Sequence, residues 1–342
     1  MKRPTISDLA QASGVSVSTV NRVLYKPELV RKPTKERVLN AAKAIDFYGV
    51  GTITQTLQDP KEVSKLGILL LQRDRPFYQD LGNVFMKEVE VNKDLNVELT
   101  LEYLDGLSPE NVSEKLIELG KKCESVALVA AQHPLVADAI DKVLSSGVSV
   151  TALIAPLSAR GDVGYVGLDN WKVGRTAAWA FDKIVYQPGK IGILIGNHRY
   201  RNQEINESGF RSYFREHNSA FTLLEAQPTY ESAVIGRELV ENLFKEHHDL
   251  AGLYVSGGGI TGVLTALREE FKREDFVVIG YELFDETRSG LINGTLTMII
   301  SHPMKVFVNA TITAMINSKN NGPNSRACME ILDFEIYTPE NI

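Results

Sequence analysis

The sequence predicts a two-part chain: a small all-α head, then a doubly wound α/β body whose parallel strands divide between two subdomains. Three observations predict it. The first 46 residues carry helical apolar spacing interrupted by a glycine turn, and after Pro60 short apolar runs alternate with amphipathic stretches. Charge is divided unevenly: residues 1–60 hold nine Lys/Arg against five Asp/Glu, so with an overall −6 the remaining 282 residues carry −10. A basic head on an acidic body is the pattern of a nucleic-acid-binding module attached to a different kind of domain. At 342 residues and 44% hydrophobic content, the chain can bury a core in each part.

Thr5 stands as an N-cap, and Ile6, Leu9 and Ala10 follow at helical spacing until Ser13-Gly14 breaks the pattern. Gly14-Val15 supplies a tight turn and Ser16 caps a second helix, with Val17, Val20, Val23 and Leu24 at its apolar positions. A third helix is expected from Thr34 to about Asp46, presenting Val38, Leu39, Ala41, Ala42 and Ile45. Two short helices across a glycine turn make a helix-turn-helix unit.

These residues resemble the headpiece of the lactose-repressor (LacI/GalR) family, through Thr5-Ile-Ser-Asp-Leu-Ala10, Ala12-Ser-Gly-Val-Ser16 and Ser18-Thr-Val-Asn-Arg-Val-Leu24. The resemblance implies a second helix lying in the DNA major groove. It places Val17, Ser18 and Arg22 at base edges, with Asn21 where Ser is more usual. An arginine can bond guanine bidentately, and a valine or small hydroxyl can touch a thymine methyl or a base edge. The same carry-over puts Thr5, Ser16, Thr19 and Tyr48 at the DNA, where phosphate contacts fix register without reading sequence.

Residues 49–62 read as a hinge between a headpiece at 1–48 and a core at 63–342. Thr52 to Gln58 has room for one or two helical turns, too few to be stable alone. In the family this hinge folds when two chains meet on DNA, and Leu57 fits the position of the leucine wedged into the minor groove. Val50-Gly51 and Thr54-Gln55 depart from the family's usual hinge pattern.

In the body, residues 66–71, 126–130, 148–154, 191–195, 250–255 and 276–280 are short apolar runs bounded by polar or glycine residues, as buried parallel strands are. Helical patterns lie between them at 112–121, 209–217 and 262–271. The pieces Pro76-Phe77-Tyr78, Gly164 to Asn170 before a helix with Gly174, Glu207-Ser-Gly209-Phe210 and Gly280-Tyr-Glu282 resemble the family's core. That core has the type I periplasmic-binding-protein fold with a ligand cleft between subdomains. The resemblance therefore spans nearly the whole chain.

Ligands of open α/β sheets sit beyond the carboxyl ends of strands, where these pieces lie. Phe77 and Tyr78 are expected as platforms for a sugar ring, and Asp169 and Glu282 as acceptors of its hydroxyls. Arg73, His133, Asn170, Asn202, Asn206, Ser301 and His302 complete the candidate set. Several depart from the family pattern: Asn206 stands where it has a ligand-clamping arginine, Ile154-Ala155 replaces an Asp-Arg pair, Ser256-Gly257 replaces Asn-Asp, and Ser301-His302 replaces a glutamine. Two alternatives follow: Arg73, Arg199 or Arg201 restores the missing charge from a neighbouring loop, or the ligand is a different sugar derivative altogether.

The chain thus reads as a ligand-responsive regulator of carbohydrate genes, a homodimer on operator DNA with a sugar-like effector and no cofactor or metal. One motif supports an alternative. Gly257-Gly-Gly259-Ile-Thr-Gly262 fits the dinucleotide fingerprint, with Glu282 twenty residues beyond, which would suit an oxidoreductase; no hydride-transfer site accompanies it. No nucleophile elbow, Walker loop or metal-spaced His/Cys set occurs, and two cysteines, Cys123 and Cys328, make no disulfide framework. No run reaches the ~18 apolar residues of a membrane span, and Met1-Lys-Arg-Pro4 opens no signal core, so a cytoplasmic protein is expected.

Overall fold

A computed structural model describes residues 4–57, 63–217, 220–269, 271, 275–321 and 327–342. The chain divides into two compact units, Met1–Val63 and Ser64–Ile342.

The first unit is helical. Helix α1 (Ile6–Ser13) opens on a capping box in which the Asp8 amide donates to Thr5 Oγ1 (3.3 Å) and the Thr5 amide donates to Asp8 Oδ2 (2.7 Å). It closes on Gly14, whose φ of 65° is the left-handed cap that glycine adopts without strain. Helix α2 (Val17–Tyr25) is capped by Ser16, whose Oγ accepts from the Thr19 amide at 3.2 Å. Helix α3 (Lys32–Ala44) runs two residues ahead of its expected span at both ends. Pro33 is pre-set for a first turn, and Asp46 at φ 51° has left the helix. Helix α4 (Val50–Leu57) follows.

Leu9, Ala10, Val20, Val23, Val38, Ala42, Phe47 and Ile53 form the core of this unit. Two expectations change here. Val17 is not a core position but is 44% exposed. The hinge segment is not an isolated turn, because Ile53 carries α4 into the head's own core. Burying that side chain supplies what so short a helix lacks alone.

The described residues of the second unit form two six-stranded sheets. The first contains β1 (Ser64–Leu70), β2 (Val97–Tyr103), β3 (Ser125–Leu128), β4 (Ser149–Leu153), β5 (Gly164–Leu168) and β11 (Met329–Leu332), in the order β11-β5-β4-β3-β1-β2 and all parallel. The second contains β6 (Lys190–Ile195), β7 (Thr222–Pro228), β8 (Leu250–Val255), β9 (Val277–Tyr281), β10 (Met298–Ser301) and β12 (Glu335–Tyr337), in the order β12-β10-β9-β8-β6-β7. Among the described strands of this sheet only β12 is antiparallel to its neighbour. The chain crosses between sheets after β5, after β10 and after β11.

All six expected body strands are present, shifted by no more than two residues at an end. The edge strands β2 and β7 were not expected. Each is half-buried and interrupted by charge, as in Val-Glu-Leu-Thr-Leu-Glu-Tyr, so neither reads as an apolar run. Helix α9 (Arg201–Glu216) begins eight residues before its expected start, because its first turns bury the polar residues Asn202, Gln203 and Asn206. It packs on α8 (Asn170–Ile184) so closely that a Cβ on Gly174 would fall on the Asn206 carbonyl oxygen.

Candidate nucleic-acid interface and ligand cleft

On α2 the buried Val20 and Val23 face the head's core, leaving Val17, Ser18, Asn21 and Arg22 exposed. Residues 17, 18, 21 and 22 recur at helical spacing, so these side chains share one outward stripe. Ser16 and Thr19 join their hydroxyls at 2.9 Å beside the helix N-terminus, where free amides and the helix dipole suit a phosphate. The Thr5 hydroxyl donates to Asp8 at 2.7 Å, so its observed role is to cap α1. Tyr48 is 72% exposed, its ring 4.4 Å from that of Phe47. Leu57 ends α4, and its side chain lies outside the described residues.

In the body, each sheet reverses its winding once: β1 lies between β2 and β3, and β6 between β7 and β8. Crevices form at the carboxyl ends of strands at such switch points. A cavity of about 470 Å³ lies there, lined from the first sheet by residues after β1, β3 and β4 and from the second by residues after β6, β7, β8 and β9.

An ion pair crosses this cavity. Arg75, beyond β1, donates from Nη2 to the Glu231 carboxylate, beyond β7. The guanidinium lies 4.9 Å from the Tyr78 ring centroid. Burial pulls the Arg75 pKa down, but the charge of Glu231, with Tyr78 and Tyr200, outweighs it and the net shift is upward. Gln203 Nε2 donates to the other Glu231 oxygen at 3.1 Å, while its Oε1 accepts from the Gly196 and Asn197 amides (2.7 and 3.0 Å). Tyr230 and Glu231 are held at φ 51° and 63°, a conformation that costs non-glycine residues energy and marks a constrained turn.

The glycine run has its explanation in this turn. A Cβ on Gly258 or Gly196 would strike the Glu231 carboxylate, and one on Gly262 would strike the Ala233 carbonyl. The loop that would cradle a pyrophosphate is instead occupied by a carboxylate, which repels one, so the dinucleotide reading is set aside.

A second cluster centres on Glu282, which lines the cavity with φ 67°. Its Oε1 lies 2.6 Å from His302 Nδ1, and its Oε2 accepts from Ser301 Oγ (3.1 Å) and the His302 amide (3.2 Å). Ser301 and His302 sit at the end of β10, outside the cavity lining, and position Glu282 through these hydrogen bonds. Phe77, Tyr78 and Asn202 also line the cavity. Burial pushes the Tyr78, Tyr200 and Tyr281 phenols up, so they act as neutral hydrogen-bonding hydroxyls.

Other expected ligand residues lie elsewhere. Arg73 is exposed with its guanidinium 5.7 Å from the Tyr103 ring; the arginine in the cleft is Arg75, two positions on. Asp169 caps α8 through the Lys172 amide (3.1 Å) and pairs with the Lys172 ammonium at 3.3 Å. Asn170 donates to Tyr165 Oη at 3.0 Å. Asn206, in the amide orientation that satisfies it, donates to the Asn202 and Asn170 carbonyls (3.1 and 2.8 Å) at the α8–α9 joint. His133 caps α7 (Pro134–Ser145) and lines a separate cavity of about 250 Å³. Arg199 and Arg201 bond across to Gln132 and Ser158 outside the main cavity lining.

Sequence reasoning missed Arg75, Gln203, Glu231 and Tyr281. Arg75 adjoins the Pro76-Phe77-Tyr78 motif and could have been found there. Glu231 follows an edge strand that carries no apolar signal.

The family model for bacterial regulatory proteins of the lacI family matches residues 5–49, and that for the periplasmic binding protein domain matches residues 67–322. The chain belongs to the lacI family. Its relatives include the HTH-type transcriptional regulator RegA of Clostridium saccharobutylicum, 32% identical over 116 residues. That match spans 32% of this chain and only 34% of RegA's length. The ribose operon repressor of Halalkalibacterium halodurans is 22% identical over 293 residues, covering 81% of this chain and 80% of that protein. The periplasmic solute binding protein of an ABC transporter from Actinobacillus succinogenes, solved with bound D-allose, shares the fold with a TM-score of 0.73. It is 16% identical, covering 81% of this chain and 98% of its own. In this lacI-family chain no described helix is long and apolar enough to cross a membrane.

Proposed function

We propose that this lacI-family regulator is a repressor of carbohydrate uptake or catabolism genes, acting in the cytoplasm as a dimer on a pseudo-palindromic operator. The observation that carries the reading is the two-sided cavity at both switch points, on the same chain as the exposed stripe of α2. Arg75 belongs to one subdomain and Glu231 to the other, so an effector touching both changes how the subdomains meet. Two heads related by a two-fold axis suit half-sites about one helical turn apart.

Selection of host genomic fragments by the full-length protein at about 150 mM salt, where nonspecific phosphate binding is weak, tests this. A pseudo-palindrome beside sugar transport or catabolic genes is expected; binding without sequence preference would remove the repressor reading. Saturating effector is expected to change operator affinity by about 5–150-fold, a coupling of ~1–3 kcal/mol, and operator DNA to change effector affinity by the same factor. An operator affinity left unchanged by saturating effector would remove the ligand-responsive reading.

Arg22→Ala is expected to cost about 1–3 kcal/mol on the recovered operator and to relax preference at one base pair. Equal loss on every sequence would reassign Arg22 to the phosphate backbone.

A further inference from the structure

The effector's charge can be read from the cavity, given that the cleft is the effector site. Among the described lining residues Arg75 is the one cation, against the carboxylates of Asp74, Glu231 and Glu282. The Arg75 charge is already engaged by Glu231, and Glu282 is held by Ser301 and His302. An incoming carboxylate or phosphate would find no uncommitted positive group and would face carboxylates on both sides. Bringing such a charge out of water without a partner is unfavourable.

The uncommitted hydrogen-bonding atoms point the same way. Arg75 Nη1, Asn202 Oδ1, Ser256 Oγ and Tyr281 Oη are buried in the residues around the cavity, and none has a hydrogen-bond partner. An anion calls for donors alone. This set mixes a donor, an acceptor and two hydroxyls able to be either, which matches alcohol groups that donate and accept at once. Phe77 and Tyr78, in edge contact at 5.1 Å between centroids, offer apolar surface to the C–H face of a ring. A hydroxyl accepting from Arg75 Nη1 while donating to Glu231 would tie the two subdomains together through the ligand.

We infer that the cleft selects a neutral polyhydroxylated effector and excludes sugar phosphates and sugar acids, with the Arg75–Glu231 pair as the selecting element. The pair engages the arginine's charge internally through Nη2 while leaving the buried Nη1 without a partner, as a donor for a hydroxyl. Removing the Glu231 charge frees the guanidinium for an anion.

The test is calorimetric titration of the full-length protein with D-ribose, D-glucose, D-galactose and myo-inositol, and in parallel with D-ribose 5-phosphate, D-glucose 6-phosphate and D-gluconate. At least one neutral compound is expected to bind, and its charged counterpart to bind at least 100-fold more weakly. A phosphate or gluconate that binds as tightly as the neutral compounds overturns the inference and leaves a sugar effector in place. Binding by neither group removes the sugar reading and the inference with it. In Glu231→Gln, the neutral ligand is expected to lose about tenfold in affinity and gluconate to gain measurable binding, whereas Glu231→Asp retains the exclusion. Unchanged selectivity in a folded Glu231→Gln protein would show that the pair does not select.

Discussion

Leu9→Ala is expected to abolish operator binding while leaving the body folded. Leu9 is wholly buried in a core of eight described residues. Truncating a buried leucine to alanine costs about 2–5 kcal/mol, through lost transfer free energy and the cavity left behind. A domain of this size has a margin of the same order, so the head unfolds where a larger domain would only soften. Both tryptophans, Trp171 and Trp179, lie on α8 of the body, so their fluorescence reports that unit. The fluorescence melting midpoint is expected to match the parent while operator binding in a mobility-shift titration disappears. Operator affinity within threefold of the parent would show that this core does not hold the reading helix in place.

Gly174→Ala acts on the body. At Gly174 α8 and α9 approach so closely that a methyl group would overlap the Asn206 carbonyl oxygen, and Gly209 makes the reciprocal approach to the Trp171 carbonyl. The obstructing atoms are backbone, which a rotamer change cannot move. Inserting a methyl into such a contact forces the helices apart at about 1–3 kcal/mol or more. Asn202, on the first turn of α9, lines the cavity, so effector affinity is expected to fall together with stability. Urea unfolding followed by tryptophan fluorescence measures the first effect, and an unchanged midpoint would mean the helices tolerate separation.

The parts of the fold legible in the sequence were those set by neighbouring residues. Thr5 with Asp8, Gly14 and Ser16 mark the helix ends of the head because capping is a contact over three or four positions. The inner strands β1, β3, β4, β6, β8 and β9 read clearly because both faces of a central parallel strand are covered, leaving a continuous apolar run. The start of α9 was hidden because its buried face is amide-rich, and the burial of Ile53 was hidden because Val50, Ile53 and Leu57 span only two turns, too short a pattern to show which core they join. Glu282 was recognised as a cleft residue, yet the grip of Ser301 and His302 upon it depends on β9 and β10 lying side by side.

By itself the sequence determined the order of the head's first three helices and of six inner body strands, the division into basic head and acidic body, and the aromatic pair Phe77 and Tyr78 beyond the first body strand. These rest on local spacing and composition, which survive without a fold. Only the tertiary structure decided which charged groups share the cleft. Arg75 and Glu231 stand 156 residues apart and meet because the switch points of two sheets face one another. Arg73, two positions away, stacks outside on Tyr103. A side chain's direction at a strand's end depends on the loop that carries it, and that loop is shaped by contacts from the other subdomain.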